Sequence, residues 1–238
     1  MSTLFREILY KPIFNLLVGI YNIIPGNDFG VAIVVLTVLV RVVFMPWSIK
    51  ATRSQKKLAE LQPKLKTIQE KYKNDKAAQA QATMALYKEN QISPISGCLP
   101  LLVQLPFLIA LYRAFLNGFK PESLDLLYGF VNRPEVINNI SLGFIDLASR
   151  NLVLVFIAAG LQFIQSKLSL PPKSNTPATP GSGPDLSAMN RQMLYFFPVM
   201  IIIIGWNLPA GLVLYWAVTT LFSVFEQWWV RRAVPKTV

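Results

Sequence analysis

"VVLTVLVRVVFMPW", Val34 to Trp47, reads as membrane-embedded helix carrying one permanent charge, Arg41. The apolar run around it extends from Phe29 to Ile49, and about 20 such residues cross a bilayer as a helix. Its thirteen Leu, Ile, Val and Phe residues each favour insertion by about 0.3–0.6 kcal/mol, which outweighs the roughly 3 kcal/mol penalty of one arginine. The segment inserts, and the charge goes with it. At about 1.5 Å per residue, Arg41 lies roughly 12 Å from the end of the run at Ile49. Snorkelling covers only part of that distance.

The rest of the 238 residues fits a membrane protein. The chain is 53% hydrophobic and only 15% charged, which is low for a soluble domain. It has no His and one Cys, Cys98, which excludes an internal disulfide, a Cys/His zinc site and imidazole-dependent nucleophilic catalysis. The expectation is a protein that is not an enzyme and uses no cofactor and no metal. Further apolar runs predict spans at 94–116, 151–168, 192–207 and 208–230. The last two are divided at "WNLPAG", Trp206 to Gly211, where Asn-x-Pro-x-Gly is a turn signal. Residues 1–28 are interrupted by Lys11 and Pro12 and carry Arg6, Glu7 and Asn15. They read as an amphipathic helix lying on the membrane surface, with an uncleaved signal-like segment as the alternative. The fold expected is therefore an all-α integral membrane protein with five transmembrane helices and an N-terminal interfacial helix.

The net charge of +11 is explained by its distribution. Ten Lys and Arg residues fall between Lys50 and Lys88, and Lys167, Lys173, Arg191, Arg231, Arg232 and Lys236 extend the same side. The other side has Arg6, Lys11, Lys120, Arg133 and Arg150, with Arg113 near a span end. The positive-inside rule then puts the N-terminus outside and the C-terminus in the cytoplasm. The loop 50–93 predicts a cytoplasmic helical hairpin. Leu58, Leu61, Leu65, Ile68 and Tyr72 form one stripe, kinked at Pro63. Asn74-Asp75 forms a turn, and Ala77, Ala80, Met84 and Tyr87 form a second stripe. Its alternative is a solvated hairpin that only sets topology. Within the cytoplasmic loop 169–191, Pro171 to Ser187 is rich in Pro, Ser, Thr and Gly and predicts a flexible connection. Residues 117–150 form the outer loop and 231–238 the cytoplasmic tail.

Polar residues inside the spans are unevenly placed. Thr37, Arg41 and Ser48 share one helix face by their spacings of four and seven. Tyr215, Thr219, Ser223 and Glu226 share another, with Trp216, Thr220 and Gln227 on an adjacent strip. Gln104, Gln162, Gln165 and Ser166 add to them, and nearly all lie in the cytoplasmic halves of their spans. The outer halves, such as "FGVAIVVL" and "PAGLVL", are apolar. This asymmetry predicts a hydrophilic groove open to the cytoplasm and sealed outside. Its lining is expected from Arg41, Thr37, Gln104, Gln162, Gln165, Tyr215, Trp216, Thr219, Thr220 and Ser223. Helix–helix hydrogen bonding is the plain alternative for each of these side chains. With no acid at mid-membrane, Arg41 is expected to face water rather than a counter-ion.

Three long stretches carry a resemblance. "LTVLVRVVFMPWSIKATRSQKKLAELQPKLKTIQEKYKND" (36–75), "SPISGCLPLLVQLPFLIALYRAF" (93–115) and "FFPVMIIIIGWNLPAGLVLYWAVTTLFSVFEQWWV" (196–230) resemble the core of the YidC/Oxa1/Alb3 membrane protein insertases. The second stretch departs from the family pattern by having Ser93 where Asn is usual. The resemblance implies an insertase and chaperone for newly made membrane proteins, with a groove arginine at Arg41, a groove threonine at Thr37 and paired aromatics at Tyr215 and Trp216. It also implies the partners: nascent membrane proteins, the lipid bilayer, a ribosome and targeting factor met by the hairpin, and the Sec translocon beside a working monomer. The expected location is the bacterial cytoplasmic membrane, the thylakoid being the alternative. The sequence shows neither a large outer domain after the first helix nor a long basic C-terminal extension. A small-solute transporter or channel is the rival reading, opposed by the apolar outer halves and the lack of an inverted repeat. A docking scaffold is the third.

Overall fold

The computed structural model describes residues 3–91, 99–117, 121–170 and 186–233. The sequence-based linker 171–187 and the Ser93 position of the second resembling stretch fall almost wholly outside them. The chain opens with a helical rod made of α1 (Thr3–Phe5), a π-helical turn (Arg6–Tyr10) and α2 (Lys11–Ile23). The wide turn sits directly before Pro12, which has no N–H to donate. The Lys11 N–H reaches back to the Arg6 carbonyl, five residues away. Gly26 and Asn27, both with positive φ, turn the chain into α3 (Phe29–Glu60). Asp28 caps α3 by accepting the Val31 N–H at 3.0 Å.

At about 1.5 Å per residue, α3 is roughly 48 Å long, well beyond a hydrocarbon core of about 30 Å. The sequence divides at Ile49, but the helix does not. It runs through Pro46 and carries the first part of the cytoplasmic loop as an unbroken extension. The break comes at Leu61, with Pro63 in the first turn of α4 (Gln62–Lys71), where a missing N–H costs nothing. Asp75 then caps α5 (Lys76–Glu89) by accepting the Ala78 N–H at 2.9 Å.

The second stripe of this hairpin differs from expectation. Ala77, Ala80 and Met84 are exposed and only Tyr87 of the stripe is half-buried, as are Ala78, Gln79, Ala82, Thr83 and Leu86. An alanine-rich helix is mildly apolar all round, so its spacing alone does not choose a face. α6 (Leu99–Asn117), α7 (Leu152–Ser169), α8 (Leu186–Gly205) and α9 (Ala210–Ala233) complete the helices, with α8 and α9 separated at "WNLP".

The expected all-α class needs one addition. The loop between α6 and α7 holds a 3-10 helix (Pro121–Leu126) and a two-stranded antiparallel hairpin, β1 (Ile140–Ser141) and β2 (Ile145–Asp146). Strands of two residues are too short to leave an alternation in sequence. This loop is tied down as a platform. Buried Asn15 donates to the Leu126 carbonyl at 3.0 Å and accepts the Tyr128 N–H at 2.6 Å. The Tyr21 hydroxyl accepts the Asn138 N–H at 3.1 Å. The first amides of α9 are satisfied by the same loop, with Ala210 donating to Ser149 at 2.7 Å and Gly211 to Leu147 at 3.0 Å.

Two apolar clusters organise the helices. One joins Phe14, Leu17 and Val18 of α2 to Phe29, Ile33 and Leu36 of α3, Ala110 and Phe115 of α6, and Leu212 and Tyr215 of α9. The other joins Val155 and Ala158 of α7 to Ile201 of α8 and Val213 and Ala217 of α9. The N-terminal rod is therefore packed into the protein along its inner face. Its relation to the bilayer surface is taken up under the proposed function. Gly211 lies directly against the Phe115 ring, which leaves no room for a methyl group. Gly211→Ala is expected to lower stability by about 1–3 kcal/mol through overpacking, read as a drop in melting temperature with an unchanged helical spectrum.

Among the described residues, α3 and α7 are long and apolar enough to cross a membrane, and Leu194–Gly205 of α8 is a shorter apolar stretch. Their outward faces are greasy. Val43 is 63% exposed, Val153 69% and Ile203 66%. Contiguous exposure of this kind suits lipid and not water.

Candidate functional site

The polar residues of α3 and α9 meet along one seam. Arg41 donates through its Nη2 to the Thr219 carbonyl at 2.8 Å and to the Ser223 hydroxyl. Two turns further, the Glu226 carboxylate accepts from the Ser48 hydroxyl at 2.7 Å and the Thr52 hydroxyl at 3.1 Å. Arg41 to Thr219 and Ser48 to Glu226 have the same sequence offset, 178. The two helices therefore run in the same direction, and their polar contacts repeat after seven residues, as in a coiled-coil seam.

Thr37, one turn before Arg41, is buried and donates to its own Ile33 carbonyl at 2.6 Å. Tyr215, one turn before Thr219, is buried and accepts a hydrogen bond from Gln104 of α6. Thus Arg41, Thr219 and Ser223 are in direct contact, Thr37 sits on the same face of α3, and Gln104 and Tyr215 link α6 to α9.

The remaining expected lining residues lie elsewhere. Trp216 packs with the α7–α8–α9 cluster while its neighbour Tyr215 belongs to the other one, so the paired aromatics enter different clusters. Gln162 bonds weakly to Ser166 of its own helix at 3.4 Å, and Gln165 is half-buried on the same helix. Thr220 is buried. The C-terminal ends of α7 and α9 are joined by Ser169 and Gln227, whose side chains exchange hydrogen bonds at 3.1 and 3.3 Å, and by Arg231 donating to the Leu168 carbonyl.

Sequence expected Arg41 to face water rather than an acidic partner, with interhelical hydrogen bonding as the alternative. In the fold it is half-buried, clasped to α9 and stacked over the Phe222 ring with 5.4 Å between the guanidinium carbon and the ring centroid. Its Nε is buried without a hydrogen-bond partner. Sequence reasoning put Ser48 and Glu226 on polar faces but did not pair them, and it did not single out Thr52. Glu226 is 3% exposed and is held from α3 by two hydroxyls one helical turn apart. A single acid inside an apolar span was the available signal. Its partners are 174 and 178 residues away, so only the fold reveals them.

The N-terminal end of α3 is tied to the platform. Asp28 accepts from the Ser141 hydroxyl at 2.7 Å and the Leu142 N–H at 2.6 Å, besides capping α3. Partial burial works against its ionisation, but these bonds and the Gly30 N–H outweigh it and hold the carboxyl below its usual pKa. A depressed folded-state pKa contributes stability above the unfolded value of about 3.9, and that contribution is lost as pH falls through the lower folded value. The contribution of Asp28 to melting temperature should therefore not vary with pH near neutrality and should fall in acid below about pH 4. Asp28→Ala should cost about 1 kcal/mol at pH 7 through the lost cap, and should remove that part of the acid dependence. Among the described residues no group of His, Cys, Asp and Glu is arranged to hold a metal ion.

The profile of the 60Kd inner membrane protein family matches residues 19–237. A protein of Fusobacterium nucleatum named membrane protein insertase YidC is 32% identical over 206 residues, 87% of each chain. Proteins of the same name from Neisseria gonorrhoeae and Legionella pneumophila are 37% and 35% identical over 95% and 92% of this chain. The chain spans only 36% and 35% of those two relatives' lengths. The fold matches a crystal structure of an active YidC insertase with its first transmembrane domain resolved. The TM-score is 0.61 at 22% identity, covering 94% of this chain and 46% of that one. From residue 19 to its last turn, the chain belongs to the 60Kd inner membrane protein family.

Proposed function

We propose that the chain is a membrane protein insertase that works through the α3–α9 seam as a groove open to the cytoplasm. One observation carries this reading: hydrogen-bonding side chains occupy the inner half of the seam, while its outer half is apolar and capped by the platform. A channel would need polar lining through both leaflets. The family membership and the names of the relatives support the same reading.

In this reading α3, α6, α7, α8 and α9 cross the bilayer and the N-terminal rod lies at its outer surface. Phe29 to Trp47 and Ala210 to Trp228 are each nineteen residues, about 27 Å of helix from first to last. Trp47, Trp228 and Trp229 are exposed at the level of Ser48 and Glu226, and Arg232 stacks on Trp228 at 3.8 Å. Exposed tryptophan and arginine at one level suit a headgroup belt at the cytoplasmic interface. The N-terminus is then outside, the C-terminus inside, and the membrane is the bacterial cytoplasmic one.

A substrate's short outer segment enters the wet inner half beside Arg41. Local hydration shortens the apolar distance that it must still cross. The membrane potential, positive outside, favours outward movement of acidic segments by about 2.3 kcal/mol per charge per 100 mV. The following apolar segment leaves along the lipid-facing helices, and burial of its surface in lipid drives integration. No covalent step is required. The hairpin α4–α5 receives the ribosome or a targeting factor, and the Sec translocon is a neighbour rather than a component.

Purified protein in liposomes tests this. Integration of a single-span substrate, with no flux of small solutes, is the expected result. Solute flux without integration would establish the transporter reading, and neither activity would leave a scaffold.

A further inference from the structure

The buried carboxylate of Glu226 has no role in the mechanism above, yet it occupies the same seam as Arg41. Its level is fixed by Ser48 and Thr52, seven and eleven residues beyond Arg41 on α3. Ser223, which the guanidinium touches, is three residues before Glu226 on α9, so the two charges lie within about one turn of each other along the seam. Each is held by polar but uncharged groups of the opposite helix: Arg41 by a carbonyl and a hydroxyl, Glu226 by two hydroxyls. Neither charge is therefore consumed by a close ion pair in these contacts, and both contribute to the potential along the seam. Glu226 lies on the cytoplasmic side of Arg41, so an entering segment passes it first.

We propose that Glu226 sets the charge selectivity of the groove, acting as a fixed negative gate that limits how strongly acidic segments are drawn toward Arg41. The proposal rests on the reading of Arg41 as the charge that a substrate meets. Ser48 and Thr52 are positioning residues. Their hydroxyls stabilise the ionised carboxylate and hold it on α3, at a distance from the guanidinium. If Glu226 reached Arg41 directly, the two would neutralise each other and the seam would lose both its attraction and its filter.

The test uses the full-length protein in proteoliposomes and two single-span substrates whose outer segments differ only in acidic against neutral residues. The readout is the ratio of their insertion yields, together with melting temperature. Glu226→Gln keeps one acceptor oxygen, puts an amide donor in place of the other, and removes the charge. A carboxylate about 10 Å from a segment's charge, at an effective dielectric of about 40, changes binding of a unit charge about four-fold. The acidic-to-neutral ratio should therefore rise about four-fold. Thr52→Lys, at a half-buried position, places a cation beside the intact glutamate and should shift the ratio the same way. It carries the test if the glutamine variant does not fold. An unchanged ratio in a folded variant overturns the proposal. Equal loss for both substrates with a lower melting temperature also overturns it, and makes Glu226 a helix clasp. Failure of the underlying reading shows separately, as an Arg41→Ala protein whose ratio matches wild type.

Discussion

Arg41→Ala should reduce insertion of substrates with acidic outer segments by somewhat over ten-fold while reducing neutral ones far less. A carboxylate about 5 Å from a guanidinium, at an effective dielectric of about 40, gains roughly 1.6 kcal/mol, which sets that factor. The geometry adds the structural component that sequence carried as the alternative. Arg41 joins α3 to α9 through the Thr219 carbonyl and the Ser223 hydroxyl, so its removal loosens the seam. That loss is small. Interhelical hydrogen bonds in membranes average about 0.6 kcal/mol, and the Thr219 carbonyl still accepts the Ser223 hydroxyl of its own helix at 3.0 Å. A modest drop in melting temperature should accompany a large, charge-dependent drop in yield. Arg41→Lys cannot reproduce the planar fork but keeps the charge, and should stay within about two-fold of wild type for acidic substrates. A large stability loss in Arg41→Ala, with equal effects on all substrates, would leave the clasp as its whole role.

Deleting residues 60–88 should abolish most insertion of ribosome-delivered substrates and leave the membrane core folded. The cut falls where α3 ends, and the hairpin packs chiefly on itself beyond that root. α5 has no buried residue at all. What the hairpin offers is a surface: exposed Ala80 and Met84 form a strip beside a cleft that Gln69, Lys73 and Lys76 also line. An apolar strip rimmed by lysine suits ribosomal RNA or an acidic helix, and binding should weaken steeply with salt. The measurement is insertion yield with ribosome-bound chains, alongside the melting temperature of the deletion variant. Wild-type yield from a folded deletion protein would remove the recruitment role.

Much of the fold was legible because local chemistry decided it. Pro63 ends a helix because it has no N–H to give, Asp75 starts one because its carboxylate caps it, and "WNLP" divides an apolar block too long for one crossing. The clustering of polar side chains on one face of each helix was equally readable, since Thr37, Arg41 and Ser48, and Tyr215, Thr219 and Ser223, keep helical spacing. What sequence could not supply was the pairing of faces. It grouped Trp216 with Tyr215, though adjacent residues on a helix point about 100° apart and here enter different clusters. It added Gln162 and Gln165 on polarity alone. It did not pair Ser48 and Thr52 with Glu226, and its hydropathy reading of a span over 29–49 said nothing of the backbone hydrogen bonding that carries α3 unbroken to Glu60.

The central claim is that the inner half of the α3–α9 seam is wet and its outer half is sealed. Single cysteines in a Cys98→Ser background test it directly, probed in intact and inverted vesicles with a membrane-impermeant thiol reagent. Ser48→Cys and Ser223→Cys should label from the cytoplasmic side only, and Leu36→Cys and Leu212→Cys, buried in the outer cluster, from neither. Labelling of Leu36→Cys or Leu212→Cys from outside, or protection of Ser48→Cys and Ser223→Cys from both sides, would contradict a groove open to the cytoplasm.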